Sequence, residues 1–181
     1  MKKIFLTIVF LSALFSFTGC GSDDPEKIEK FFNGVCKQTV AIQAYANSTT
    51  STEEKVSTLE EMLKDTPGYG SPIASGSFVV TGENTTIKVE GLEDMAEDVT
   101  LKGFTLNING LERNFGDITK SNAKLYTDIH LEYFKNVFNK MIRDGKLATK
   151  ITFTPTKNID PADKVKLQIS FDGKFSYWVT L

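Results

Sequence analysis

The dipeptide Asn109-Gly110 is the strongest hairpin signal in the sequence, and it constrains the fold more than any other feature. Asparagine and glycine both tolerate the positive φ angles that a two-residue type I′ turn requires. Such a turn sets Ile108 against Leu111. Further from the turn it sets Phe104 against Phe115, so apolar residues meet on one face. The sequence therefore predicts an antiparallel hairpin around this dipeptide.

A second dipeptide of this kind, Asp172-Gly173, lies between alternating residues near the C-terminus. A two-residue loop here would place apolar residues opposite polar ones, whereas a three-residue loop pairs Phe171 with Phe175. The same loop pairs Leu167 with Val179. Because a one-residue slip moves every side chain to the other face, the apolar pairing decides the register. We expect a hairpin with a three-residue loop.

Alternation with a period of two predicts further strands. A hairpin is expected over residues 78–89, with its turn at residues 82–85. In the strand that ends at Ile108 the phase of the alternation slips at Lys102-Gly103, which is typical of a glycine bulge. Residues 147–153 alternate again and are predicted to form another strand.

Two segments near the N-terminus have apolar residues at helical spacing. The first begins with Asp24 as a candidate N-cap and Pro25 at the first helical position, and it extends to about residue 46. The second begins at a capping box formed by Ser51 and Glu54, and it ends at residues 66–68, where proline and glycine stop a helix.

A third helix is predicted from the apolar stripe between Leu131 and Ile142, and it ends at Asp144-Gly145. Residues 124–131 fit either a strand or the first turns of this helix. The whole pattern indicates the α+β class, in which N-terminal helices pack on an antiparallel β-sheet of hairpins with one inserted helix.

The first 19 residues have the pattern of a secretory signal peptide. Met1-Lys2-Lys3 is a positive segment, and residues 4–17 form an almost unbroken apolar run. That run is shorter than the about 20 apolar residues that a membrane-spanning helix needs. We therefore expect residues 1–19 to be removed.

The next residues resemble a known class of signal. Phe17-Thr18-Gly19-Cys20 resembles the lipobox of bacterial lipoproteins, which implies cleavage before Cys20 and its modification with diacylglycerol and a further acyl chain such as palmitate. The stretch Ser22-Asp23-Asp24-Pro25-Glu26 resembles the acidic export tag of Bacteroidota surface lipoproteins. The resemblance implies a lipid-anchored protein of the outer membrane, exposed at the cell surface, and the rest of the chain resembles lipoproteins of unknown function.

These boundaries predict a tether over residues 20–26 and a single globular domain over residues 27–181. Two of the 21 basic residues lie in the signal peptide, which leaves 19 basic against 23 acidic residues in the mature chain. A mildly acidic chain without a basic stripe argues against a nucleic-acid partner. The predicted partners are the membrane, through the lipid, and a glycan, peptide or protein ligand.

Three residues near the C-terminus are candidate ligand-binding residues. In the three-residue register, Trp178 lies across from Gln168, which is flanked by Lys166. A tryptophan among hydrogen-bonding side chains on a sheet face can hold a sugar or a peptide. The same face can instead be covered by the first helix, in which case Trp178 belongs to the core.

No set of residues in the sequence identifies a catalytic, metal or cofactor site. His130 is the only histidine, and we expect it to be exposed or at a sheet edge. Cys36 is expected to be a buried structural thiol. An acidic cluster can either collect a calcium ion or form a solvated loop, and its members are Glu90, Glu93, Asp94, Glu97 and Asp98.

The function expected from these features is a non-enzymatic binding or accessory module displayed on the outer membrane. Two alternatives remain open. The first is a hydrolase that uses scattered carboxylates or His130, and the second is a structural lipoprotein of a membrane complex.

Overall fold

Antiparallel strands dominate the folded chain. The computed structural model describes residues 26–65, 78–125 and 130–179. Within these ranges there are two α-helices, α1 (Leu59–Leu63) and α2 (Leu131–Asp144). The strands are β1 (Glu26–Ala41), β2 (Thr50–Ser51), β3 (Lys55–Thr58), β4 (Phe78–Glu90), β5 (Leu101–Ile108), β6 (Leu111–Asn114), β7 (Lys124–Leu125), β8 (Lys146–Pro155) and β9 (Lys166–Val179).

The strands form two antiparallel sheets. The first has the order β1-β9-β4-β7, so the long strand β9 lies between β1 and β4. The second has the order β2-β8-β5-β6, and β3 also pairs with β8. No helix in the described part of the chain has the length and apolar character needed to cross a membrane.

Main-chain hydrogen bonds join the two sheets on both sides. On one side the chain leaves β1, the Ile42 N–H donates to the Val165 carbonyl at 2.9 Å, and Ala44 forms a bridge with Ile159 before β2 joins β8. On the other side Ile118 forms a bridge with Leu101 of β5. The following segment reaches β4, where the Val89 N–H donates to the carbonyl of residue 123 at 2.8 Å.

The core lies between the sheets because one side of each strand is apolar. In β9 the buried residues Leu167, Ile169 and Phe171 alternate with half-buried polar ones. The matching inward residues of β5 and β8 belong to the same buried cluster. Each fully buried Leu, Ile or Phe side chain contributes about 1.5–3 kcal/mol, so this pattern fixes which face of each sheet turns inward.

The third predicted helix and the hairpin at Asn109-Gly110 are confirmed. Helix α2 buries Phe134, Val137 and Met141, and it is followed by Gly145. In the hairpin Asn109 has φ 50° and Gly110 φ 80°, the left-handed values of a type I′ turn. The register also matches, since Ile108 pairs with Leu111. The bulge at Lys102-Gly103, the strand over residues 147–153 and the inserted position of α2 are confirmed as well.

The predicted N-terminal helix is wrong, since residues 26–41 form the strand β1. From Cys36 onward every second residue is buried: Cys36, Gln38, Val40, Ile42 and Ala44. This alternation matches the buried side of a sheet, and pairing with β9 outweighs the helical spacing of the same apolar residues. The fold is therefore β-rich, and it does not consist of N-terminal helices packed on a sheet.

The second predicted helix is also mostly wrong, because residues 50–51 and 55–58 are strands paired with β8. Only residues 59–63 are helical, and their capping box is formed by Thr58 and Glu61 instead of Ser51 and Glu54. The Glu61 N–H donates to Oγ1 of Thr58 at 3.1 Å, and the Thr58 N–H donates to the Glu61 carboxylate at 2.9 Å. The sequence of segment 124–131 fitted either a strand or the first turns of the helix. In the structure residues 124–125 form β7, and α2 begins at Leu131.

Two predicted hairpins are single strands in the structure. Residues 78–90 form β4 without a turn at 82–85, and residues 166–179 form β9 without a loop at Asp172-Gly173. In β4 the register shifts between residues 81 and 86, so Gly82 and the polar residues after it mark a bulge instead of a turn. Near Asp172-Gly173 the extra residues belong to the neighbouring strands β1 and β4, and β9 itself stays extended.

Candidate ligand-binding site

The outer side of the first sheet carries a ladder of polar side chains, which we call the polar face. Three strands contribute to it in register, with β9 in the middle. Ser170 pairs with Lys37 of β1 and with Thr86 of β4. Gln168 pairs with Thr39 and Lys88, and Lys166 pairs with Ala41 and Glu90.

Asp172 lies at one end of the polar face, between two bulges. In β1 the register shifts between residues 32 and 36, and in β4 it shifts between residues 81 and 86. Each of these strands therefore has extra residues, β1 opposite Asp172 and β4 opposite Phe171. Bulges bend the strand and leave residues unpaired, so they open the sheet at this point.

The Asp172 carboxylate is buried but only half satisfied. The residue is 3% exposed. Its Oδ1 accepts a hydrogen bond from the Gly34 N–H at 2.9 Å. Its Oδ2 is buried and, in the part of the chain that the structure describes, has no hydrogen-bond partner. A buried acceptor without a donor costs about 1–3 kcal/mol, or more when it is charged, so this oxygen requires an explanation.

Gly34 allows the β1 bulge to approach Ser170 and Lys37 closely. Its φ of 62° is left-handed. A Cβ at this position would lie 2.8 Å from Oγ of Ser170 and 3.0 Å from Cε of Lys37. The absence of a side chain therefore lets the Ser170 hydroxyl and the Lys37 stem lie close to Gly34, whose N–H binds Asp172.

These residues line an open groove of about 570 Å³ on the polar face. Its lining residues are Gly34, Lys37, Thr86, Lys88, Gln168, Ser170 and Asp172. The volume falls within the range of ordinary ligand sites, about 300–1,000 Å³, although the lining is polar. The groove offers hydrogen-bond donors and acceptors to a hydrophilic ligand.

Ion pairs hold the lysines at the other end of the polar face. The Glu90 carboxylate pairs with Lys88 and, at 3.2 Å, with Lys166. The hydrogen bond from Lys88 and, less strongly, that from Lys166 lower the pKa of Glu90 below its ordinary value. Lys37 is exposed and, among the described residues, has no carboxylate at ion-pair distance.

The structure places Gln168 and Lys166 together on the polar face, but it separates Trp178 from them. Trp178 pairs with Lys27, whereas Gln168 pairs with Thr39 and Lys88. Since β9 does not turn, Trp178 lies ten residues along the same strand, about 33 Å away at 3.3 Å per residue. The predicted cross-strand pair of Trp178 and Gln168 is therefore wrong.

Two other buried side chains have an unpartnered polar atom within the described ranges, Gln38 and Thr149. Both are on the core side of their strands. Nε2 of Gln38 donates to the Lys55 carbonyl at 3.1 Å and to the Leu147 carbonyl at 2.9 Å, which ties β1 to the second sheet. Asp172 differs from both because it lines a surface groove.

The other candidate residues lie in surroundings that indicate a structural role. Cys36 is a fully buried free thiol, as expected, and burial raises its pKa to about 12. His130 is half-buried next to α2, where its ring lies 4.6 Å from that of Phe115 and its Nδ1 lies 3.3 Å from the Arg113 guanidinium. Cys20 lies outside the described residues.

The acidic cluster is spread over a strand and the loop that follows it. Glu90 belongs to the polar face, Glu97 pairs with Lys157 at 2.9 Å, and Asp98 pairs with Lys120 at 3.3 Å. Within the described ranges no three His, Cys, Asp or Glu side chains are grouped as a metal site would require.

The sequence interpretation missed Asp172, Gly34 and Lys37. Asp172 and Gly173 were assigned to a turn, and residues 34 and 37 to a helix. The alternation of polar residues at 166, 168, 170 and 172 was a signal that could have placed Asp172 on the same face as Gln168.

Comparison with known proteins identifies no relative. No family model matches the sequence, and neither a curated protein nor a solved structure matches it.

Proposed function

We propose that the protein is a lipoprotein anchored to the outer membrane through Cys20 and that the polar face of its first sheet binds a glycan. The proposal combines two independent parts. The N-terminal sequence concerns where the protein is held, and the groove around Asp172 concerns what it binds.

The location is supported by the sequence of the first 26 residues. A positive start and a short apolar run precede Cys20, and an acidic stretch follows it. Each buried methylene of an acyl chain contributes about 0.8 kcal/mol, and stable anchoring takes more than one chain. A diacylated cysteine with a further acyl chain on its amine would hold the protein at the bilayer.

The binding function depends on one observation: the buried Asp172 carboxylate lines the groove, and its Oδ2 has no partner among the described residues. A sugar hydroxyl can donate to this oxygen and can also accept a hydrogen bond from another group. The groove supplies such donors in Gln168, Ser170 and Lys37. A molecule with several hydroxyls therefore fits the lining better than an apolar ligand does.

The same geometry favours a binding module over a hydrolase. Among the described residues, the side chains in contact with His130 include Arg113 and Phe115, a cation and an apolar ring, neither of which can act as the carboxylate orienter of a general base. The Glu90 carboxylate is occupied by two lysines. A structural lipoprotein of a membrane complex would instead present an apolar contact surface, whereas the groove is polar.

The anchoring part is tested by intact-mass measurement of the full chain purified from its membrane fraction. The expected product begins at Cys20 and carries the mass of a diacylglycerol and an acyl chain. A Cys20→Ser variant is expected to lose this mass and leave the membrane fraction. A chain that keeps residues 1–19, or an unmodified Cys20, would contradict the proposal.

The binding part is tested by probing a glycan array with the detergent-solubilised full chain and measuring the affinity of any hit by calorimetry. We expect Asp172→Asn to weaken binding tenfold or more, since a hydrogen bond to a charged group contributes about 1.5–3 kcal/mol. Asp65→Asn is the matched control, because Asp65 is exposed and lies outside the polar face. Absence of any bound glycan, or equal losses in both variants, would contradict it.

A further inference from the structure

Resting on the proposed function, we infer that the ligand is an acidic glycan. Its carboxylate or sulfate group pairs with the Lys37 ammonium, while a neighbouring hydroxyl donates to Oδ2 of Asp172. The inference adds the charge of the ligand and its orientation in the groove.

Among the described residues of the polar face, one lysine has no ion-pair partner. Glu90 serves both Lys88 and Lys166, so that end of the face already carries an excess positive charge. Lys37 is exposed at the other end, where the described residues provide no carboxylate at ion-pair distance. Because the sum over these side chains and Asp172 is positive, an anionic group is favoured over a cationic one.

The bulge at Gly34 places the three groups within reach of one sugar ring. The Gly34 N–H holds Oδ1 of Asp172 at 2.9 Å. The position that a Gly34 Cβ would occupy lies 2.8 Å from the Ser170 hydroxyl and 3.7 Å from the Lys37 ammonium nitrogen. The ammonium and the hydroxyl therefore lie beside Gly34, and the carboxylate that Gly34 binds lines the same groove.

This combination matches the substituents of an acidic sugar. A uronic acid has a carboxylate and hydroxyls on one ring, and a sulfated sugar likewise has a sulfate beside free hydroxyls. A hydroxyl can donate to Asp172 and accept from Ser170, while the anionic group accepts from Lys37. A neutral sugar can make only the first set of contacts, so the anionic group should add affinity.

Two matched pairs of probes test the inference by calorimetry on the detergent-solubilised full chain. One pair is a short oligogalacturonide and its methyl ester, and the other is a sulfated galactan oligosaccharide and its desulfated form. The proteins are wild type, Lys37→Gln and the control Lys150→Gln, in which the lysine removed is exposed on β8 of the second sheet.

In at least one pair we expect wild type to bind the charged member about fivefold more tightly than the neutral one, as an exposed ion pair allows. The difference should disappear in Lys37→Gln, persist in Lys150→Gln and shrink with added salt. The pair in which it occurs distinguishes carboxylate from sulfate.

Equal binding of the charged and neutral members in both pairs would overturn the inference and leave the proposed glycan binding intact. Equal effects of Lys37→Gln and Lys150→Gln would overturn the role of Lys37. Failure of all four probes and of the glycan array would overturn both the inference and the proposed function.

Discussion

Two Asx-Gly dipeptides of the same chain have opposite roles. Asn109-Gly110 closes the hairpin between β5 and β6, and Asn109 is 8% exposed. Asp172-Gly173 lies in the middle of the long strand β9, and Asp172 is 3% exposed. In both cases a side-chain oxygen accepts a backbone N–H, from Ala148 at 2.7 Å and from Gly34 at 2.9 Å.

The two side chains differ in whether their second polar atom has a partner. Nδ2 of Asn109 donates to the Lys146 carbonyl at 2.9 Å, so both polar atoms of the amide have hydrogen-bond partners. Oδ2 of Asp172 has no partner among the described residues, although it carries part of a negative charge. A satisfied buried group stabilises the fold, whereas an unsatisfied one requires an explanation, which the proposed ligand would supply.

The largest expected effect is that of Asn109→Ala on stability. The substitution leaves the Ala148 N–H and the Lys146 carbonyl without partners and places alanine at a φ of 50°. We expect the free energy of unfolding to fall by about 3 kcal/mol, measured by urea denaturation. Asn107→Ala is the control. Within the described ranges the Asn107 side chain accepts one hydrogen bond, from the exposed Gly110 N–H, so its loss should cost about 1 kcal/mol.

Asp172→Asn should change stability much less. Asparagine keeps an oxygen for the Gly34 N–H and removes a buried charge that, among the described residues, has no counter-ion at hydrogen-bond distance. We expect the free energy of unfolding to stay within about 1 kcal/mol of wild type in the same denaturation experiment. A fall as large as that of Asn109→Ala would show that Asp172 is a structural group, and it would remove the distinction between the two dipeptides.

The sequence predicted the turn at Asn109-Gly110 correctly because the interactions of this dipeptide are local. Turn chemistry and the pairing of Ile108 with Leu111 involve neighbouring residues, and even the partner Ala148 is only 39 positions from Asn109. The same local reasoning failed at Asp172-Gly173, since Gly34 is 138 positions away. Pairing with β1 and β4 on both sides keeps β9 extended, and no short-range pattern contains that information.

Part of the candidate site was nevertheless predictable. The alternation of Leu167 and Ile169 with Lys166 and Gln168 placed the last two on one polar face, and the structure does the same. The position of Lys37 on this face was not predicted, because the apolar residues around it fit helical spacing as well as strand alternation. The choice between these periods depends on whether β9 is present as a partner, which is a property of the tertiary structure.

The smallest expected effect is a change in the pKa of His130, which reports on the hairpin at Asn109-Gly110. Burial and, second, the Arg113 guanidinium lower the pKa of His130 below its ordinary 6.5. The folded state therefore favours the neutral ring, and this contribution to stability is present above pH 6.5 and lost as the pH falls.

NMR titration measures the pKa of His130 directly, because it is the one histidine of the chain. Arg113→Gln should raise its pKa in part, Asn109→Ala should raise it by loosening the hairpin that carries Arg113, and Asp172→Asn should leave it unchanged. A shift in Asp172→Asn alone would reverse the roles assigned to the two dipeptides.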